Sequence, residues 1–160
     1  MKVSVIMGSI SDKPIGDKVI KVLDEFGVES ELRVISAHRT PYVAKDFAEK
    51  AEENGTEVIV AIAGKAAHLA GVLAGLSPLP VIGIPAKSST MDGLDSLLSV
   101  VQMPKGVPVA TVAIDGGENG GLLAVQILSV KYPQLREKFK AFKIKMAEET
   151  IKADQELNLK

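Results

Sequence analysis

The 160-residue chain sets 19 Lys and Arg against 20 Asp and Glu, a net charge of -1, and is 46% hydrophobic. Those values fit a single soluble domain, spanning 1–160, with a sizeable core, and show no basic footprint for nucleic acid or an anionic membrane. With no Cys there are no disulfides, thiolate nucleophiles or sulfur-ligated metals, and a 4% aromatic share without Trp offers little stacking surface for flavin or single strands. No apolar run reaches the length of a membrane span, and the opening MKVSVIMGS lacks the basic and long apolar regions of a signal peptide. Cytoplasmic residence is the expectation.

Short β-branched runs alternate with helical patterns along the chain. Lys2–Met7 predicts a first strand, and Pro14–Phe26 a helix with Val19, Leu23 and Phe26 on one face. Glu31–Ile35 predicts the second strand, followed by a helix over Pro41–Glu53 on the Val43, Phe47, Ala51 spacing. Strands over Val58–Ala63, Val81–Ile84 and Ala110–Ile114 follow, with helices at about Ala66–Leu76 and Asn119–Lys131. Most of these strands are too apolar to face water, so they predict a parallel sheet covered on both sides, a three-layer α/β/α sandwich. After Pro133 one long helix, Gln134–Asn158, carries Leu135, Phe139, Phe142 and Met146 on a stripe. No strand follows it, so an intersubunit role is expected.

Ligands of parallel α/β sheets bind beyond the carboxyl ends of the strands, where this chain places MGSISDKP, SAHRTP, AGKAAHLAG, IPAKSSTMDG and IDGGENGG. The chain has two histidines, His38 and His68, and both fall in these loops. In GSISD, Gly8 permits a close turn and Ser9 and Ser11 offer hydroxyls ahead of a helix N-terminus, a setting for phosphate. Asp12 reads as the helix N-cap, with Pro14 in the first turn; a ligand contact from its carboxylate would suit a ribose hydroxyl. The same residues serve equally as a well-capped helix start. In SAHRTP, Arg39 suits a phosphate and His38 proton exchange near neutral pH, against a simpler reading as a solvated arginine and a backbone-bonded histidine. His68 reads as a residue in the first turn of a helix. IDGGENGG does not fit a dinucleotide fingerprint and reads as a flexible turn.

Together GSISD (Gly8–Asp12), SAHRTP (Ser36–Pro41), AGKAAHL (Ala63–Leu69), PVIGIP (Pro80–Pro85) and LDSLLSVVQMPKGVPVATVAI (Leu94–Ile114) resemble the catalytic subunit of phosphoribosylaminoimidazole carboxylase, in particular the class I N5-carboxyaminoimidazole ribonucleotide mutases. The resemblance implies a flavodoxin-like subunit in a homo-octamer, purine biosynthesis, a small ribonucleotide substrate, and no metal or cofactor. It implies His38 as the proton-transfer residue and His68 as a second catalytic-site histidine. Ser9, Asp12 and Arg39 would bind the nucleotide, with Ser11, Ser36, Gly64, Ala66 and Ala67 as further pocket positions. Class II enzymes, which use carbon dioxide directly, typically carry Lys in place of Arg39 and Ser-Asn in place of Ala66-Ala67. A non-enzymatic flavodoxin-like module is the remaining alternative. This chain departs from the class I pattern at Lys65, usually Gly, at Ala70, usually Pro, and in IDGGENGG.

Overall fold

The computed structural model describes residues 1–158. Strands β1 (Lys2–Met7), β2 (Glu29–Val34), β3 (Val58–Gly64), β4 (Val81–Ala86) and β5 (Ala110–Thr111) form one parallel sheet in the order β2-β1-β3-β4-β5. Helices α1 (Lys13–Phe26) and α5 (Gly117–Leu128) cover one face, and α2 (Pro41–Lys50), α3 (Leu69–Leu76) and α4 (Leu94–Val101) the other. The expected α/β/α sandwich is the observed fold.

Side-chain alternation explains the two layers. Val58, Val60 and Ile62 of β3 join Val3, Val5 and Met7 of β1 in the core beneath α1 and α5, while Ile59, Ala61 and Ala63 join Ile6 in the core beneath α2 and α3. Both sets are almost wholly buried, as a central parallel strand requires. β2 is the exception: it lies at the sheet edge and none of its six residues is buried.

Several boundaries differ from those read off the sequence. β5 is two residues long instead of five: beyond it the chain meets β4 only through Val112 N–H on Gly83 O at 3.1 Å and Asp115 N–H on Pro85 O at 2.9 Å. α3 begins at Leu69, since Ala66–His68 form a tight turn with Ala67 N–H on Lys65 O and His68 N–H on Ala66 O, both at 2.8 Å. α4 is a helix that the periodicity did not reveal. Leu94, Leu98 and Val101 point to solvent, whereas Val100 is buried beside Ser96, which donates to Ala86 O and Gly93 O at 2.7 and 2.8 Å.

In IDGGENGG only Ile114–Gly116 turn; Gly117–Gly121 form the start of α5. Its glycines permit close approach. A Cβ on Gly117 would lie 2.6 Å from Ile15 O, and one on Gly120 would collide with Ile84 Cδ1. The C-terminal helix α6 (Pro133–Asn158) also divides differently from its stripe. Leu135 is fully buried, and Phe139 and Phe142 stack against Phe26 of the same chain with ring centroids 5.9 and 6.0 Å away. From Lys143 to Asn158 every residue is exposed, Met146 included.

These contacts predict opposite outcomes for two glycines. Gly117→Ala meets a backbone oxygen that cannot rotate aside and should cost about 1–3 kcal/mol in denaturant titration. Gly75→Ala, in α3 with open space around it, should stabilise by about 0.4–1 kcal/mol.

Candidate active site

The loops after β1, β2, β3 and β4 enclose a cleft of about 640 Å³ at the carboxyl edge of the sheet. Backbone bonds set their height: Ile35 N–H reaches Met7 O and Gly8 N–H reaches Ile62 O, both at 2.9 Å. The three strand ends therefore open into the same space.

After β1, Ser9 caps a short 3-10 turn, Ile10–Asp12, that leads into α1. Asp12 stands at the α1 N-cap position but makes no side-chain bond to that helix. Its carboxylate reaches back to accept the Ser9 N–H at 3.2 Å, and Ser11 Oγ donates to Ser9 Oγ at 3.0 Å. Asp12 is therefore not the α1 cap that its position next to Pro14 predicted; it belongs to a capping box one turn earlier. Burial pushes its carboxyl above the usual 3.8. The Ser9 N–H and Ser11 hydroxyl oppose that shift, Asp115 adds to it, and Arg39 opposes it.

After β2, the Ser36–Thr40 loop is closed on itself. Thr40 Oγ1 accepts Ser36 N–H at 3.0 Å and donates to Ser36 O at 2.9 Å. The Arg39 guanidinium donates to Gly8 O at 2.7 Å and Ser36 Oγ at 3.2 Å. Those bonds use two of a guanidinium's five N–H donors and hold the group beside Ser9.

His38 and His68 come from different loops, 30 residues apart, and meet. His38 Nε2 lies 3.0 Å from His68 Nδ1, with the rings nearly perpendicular at 89°. One nitrogen must donate and the other accept, so the contact couples the tautomer of one ring to that of the other.

Ser9, Ser11, Asp12, Ser36, His38, Arg39, Gly64 and Ala66 all line the cleft. Two expected residues do not. Ala67 is fully buried in the core, and His68 backs onto His38 outside the lining, not within the first turn of a helix. Lys87, Ser88 and Ser89 do line it, and sequence reasoning did not single them out. Their position after β4 was the available signal. Among the described residues no group of three or more His, Cys, Asp or Glu is arranged to hold a metal ion.

Comparison with known proteins follows the same lines. A profile of the family described as AIR carboxylase matches residues 2–149. The chain belongs to the AIR carboxylase family. It is 58% identical to the N5-carboxyaminoimidazole ribonucleotide mutase of Pyrococcus abyssi over 89% of this chain and 82% of that one. Identity to the enzyme of the same name from Thermotoga maritima is 51%, over 98% and 91% of the two chains. The crystal structure of Treponema denticola PurE superposes with a TM-score of 0.90 at 29% identity, covering 98% of each chain. AIR carboxylase family membership therefore extends across nearly the entire α/β/α body and into α6.

The buried Asp12 carboxyl makes a pH-dependent prediction. Its raised value means that ionised Asp12 disfavours the fold, so its contribution to stability falls as the pH rises from 3.8 through the higher folded value. Asp12→Asn should therefore raise Tm at neutral pH. In thermal melts the gain should shrink on acidification and vanish below 3.8.

Proposed function

We propose that this protein is an N5-carboxyaminoimidazole ribonucleotide mutase, an isomerase of purine biosynthesis that moves a carboxylate from the exocyclic nitrogen to carbon 4 of the imidazole. The observation that carries the reading is the 3.0 Å His38–His68 contact beside a cleft that also presents Arg39, Ser9 and Asp12.

Arg39 binds the phosphate through its planar fork, assisted by Ser9, Ser11 and Ser36, and Asp12 accepts a ribose hydroxyl. The carbamate C–N bond breaks, its electron pair stays on nitrogen, and nitrogen takes a proton from His38. Carbon dioxide is held against Gly64 and Ala66, where small side chains leave room close to the backbone. Carbon 4 then attacks it, forming the C–C bond, and His38 recovers a proton from carbon 4. One proton is given and one returned, so no external acid or base is consumed. Retaining both fragments avoids the entropy of a second encounter.

His68 is a positioning residue in this scheme. His38 enters the cycle as the imidazolium and gives its Nδ1 proton to nitrogen; with Nε2–H then donated to His68 Nδ1, the vacated Nδ1 accepts the proton from carbon 4. The His68 acceptor then stabilises the resulting imidazolium.

Assembly into a homo-octamer is part of the same proposal. Support comes from apolar side chains left uncovered on α4 (Leu94, Leu98 and Val101, each 41–47% exposed) and on α6 (Ile144, Met146 and Ile151). No helix among the described residues is long and apolar enough to cross a membrane. We assign the enzyme to the cytoplasm, where its soluble nucleotide substrate would be found.

Two experiments test these assignments. His38→Asn should lower turnover of the carbamate by about a hundredfold or more while product still binds. Arg39→Ala should chiefly weaken binding, by about 1.5–3 kcal/mol in calorimetric titration. Near-normal turnover in His38→Asn would move the proton transfer elsewhere, and a wild-type preference for aminoimidazole ribonucleotide plus bicarbonate would make the enzyme a direct carboxylase. Second, deleting residues 147–160 leaves Leu135, Phe139 and Phe142 on their own core, so the subunit should fold. Its assembly should have a lower mass in light scattering, and an unchanged subunit number would remove this part of α6 from the interface.

A further inference from the structure

Three cations line the cleft: Arg39, Lys65 and Lys87. Arg39 is bonded to Gly8 O and Ser36 Oγ, and Lys87 Nζ lies 3.3 Å from an Asp92 oxygen. Among the described residues Lys65 pairs with no carboxylate. Its backbone φ is +57°, in the left-handed region where a side chain bearing a Cβ is strained and glycine is not. A charged side chain is thus held, at a cost in backbone energy, on the wall of the cleft. Strain of this kind concentrates where a side chain serves a ligand.

The position of Lys65 sorts it from Arg39. Gly64 and Ala86 are the last register pair of β3 and β4, so Lys65 and Lys87 leave the sheet side by side. Lys65 opens the turn that ends at His68, which in turn touches His38. Arg39 and Ser36 belong to the loop after β2, at the sheet edge, and β1 with its Ser9 loop lies between them and Lys65 at the end of β3. The substrate and product of the mutase reaction each carry two anionic groups, a phosphate and a carboxylate. With the phosphate on Arg39 and the imidazole facing the histidines, the carboxylate falls on the β3 side of the cleft.

Resting on the mutase reading, we infer that Lys65 is a specificity-determining residue: its ammonium binds the carboxylate of the carboxylated ribonucleotide and so distinguishes it from uncarboxylated aminoimidazole ribonucleotide. The carboxylate becomes neutral carbon dioxide midway and is regenerated on carbon 4. The ion pair therefore exists in both end states and is broken between them. Its loss weakens the bound end states more than the carbon dioxide stage between them, so it is read as a rise in KM without a fall in kcat.

The test uses Lys65→Met, which keeps length and Cβ without charge, Lys65→Arg, which keeps charge, and Lys65→Gly, which removes both charge and strain. Each is titrated calorimetrically with 4-carboxy-5-aminoimidazole ribonucleotide and with aminoimidazole ribonucleotide, and assayed with the carbamate. Lys65→Met should weaken the carboxylated nucleotide about three- to tenfold and the uncarboxylated one by less than about twofold. KM for the carbamate should rise by the same factor. Lys65→Arg should stay near wild type, and Lys65→Gly should share the loss of Lys65→Met while melting at a higher temperature. Equal weakening of both nucleotides would assign Lys65 to the phosphate, and no weakening of either would remove it from recognition; each result overturns the inference while leaving the mutase reading intact. Wild-type protein that neither converts the carbamate nor binds either nucleotide would overturn that reading, and the inference with it.

Discussion

The parallel register of β1, β2 and β3 is the constraint on which the rest of the molecule depends. Parallel strands deliver every carboxyl end to one edge, and the bonds from Ile35 to Met7 and from Gly8 to Ile62 hold three of those ends at one height. His38, Asp12 and Gly64 are far apart in the chain, yet they line one cleft because their strands are neighbours. The helices contribute by burying both faces of the sheet, which leaves the edge as the place where polar groups gather.

Polar groups at that edge are held in tension. A buried carboxylate, Asp12, sits beside the residues assigned to a phosphate, with its oxygen on the Ser9 N–H and with Asp115 adding negative charge. Arg39 moderates this by lying across Gly8 O and Ser36. The four non-glycine residues with left-handed backbone, Lys65, Met91, Asp92 and Asp115, all fall in loops that follow β3, β4 or β5. Asp115 uses its conformation to cap the exit of the neighbouring strand β4, accepting Lys87 N–H at 2.7 Å. Energy spent on these backbones is recovered in the packed sandwich beneath them.

Packing also divides α6 into two parts with different roles. Its first turns seal the lower end of the α1–α5 layer through Leu135 and the Phe26, Phe139, Phe142 cluster, while its last turns carry apolar residues into solvent. The same contrast marks α4, which buries Ser96 and exposes Leu98. In both helices the buried face obeys the subunit's own core, and the exposed apolar residues are those that core does not need.

By itself the sequence determined the alternation of strands and helices, the parallel sheet and the loops that carry ligand chemistry, because buried parallel strands and amphipathic helices impose distinct periodicities on a single chain. It also named the lining residues Ser9, Asp12, Ser36, His38 and Arg39, whose types match their chemistry. Tertiary structure alone decided the matters that depend on distance. The His38–His68 contact spans 30 residues. Asp12 turns back to Ser9 and does not cap α1. Ala67 points into the core, and the glycines of IDGGENGG serve helix packing. None of these leaves a period in the sequence, since each is settled by which surfaces the sheet order brings together. α4 was hidden for a related reason: its buried face mixes Ser96 with Val100 while Leu94, Leu98 and Val101 are exposed, so apolar residues fall on both sides and mark no single face.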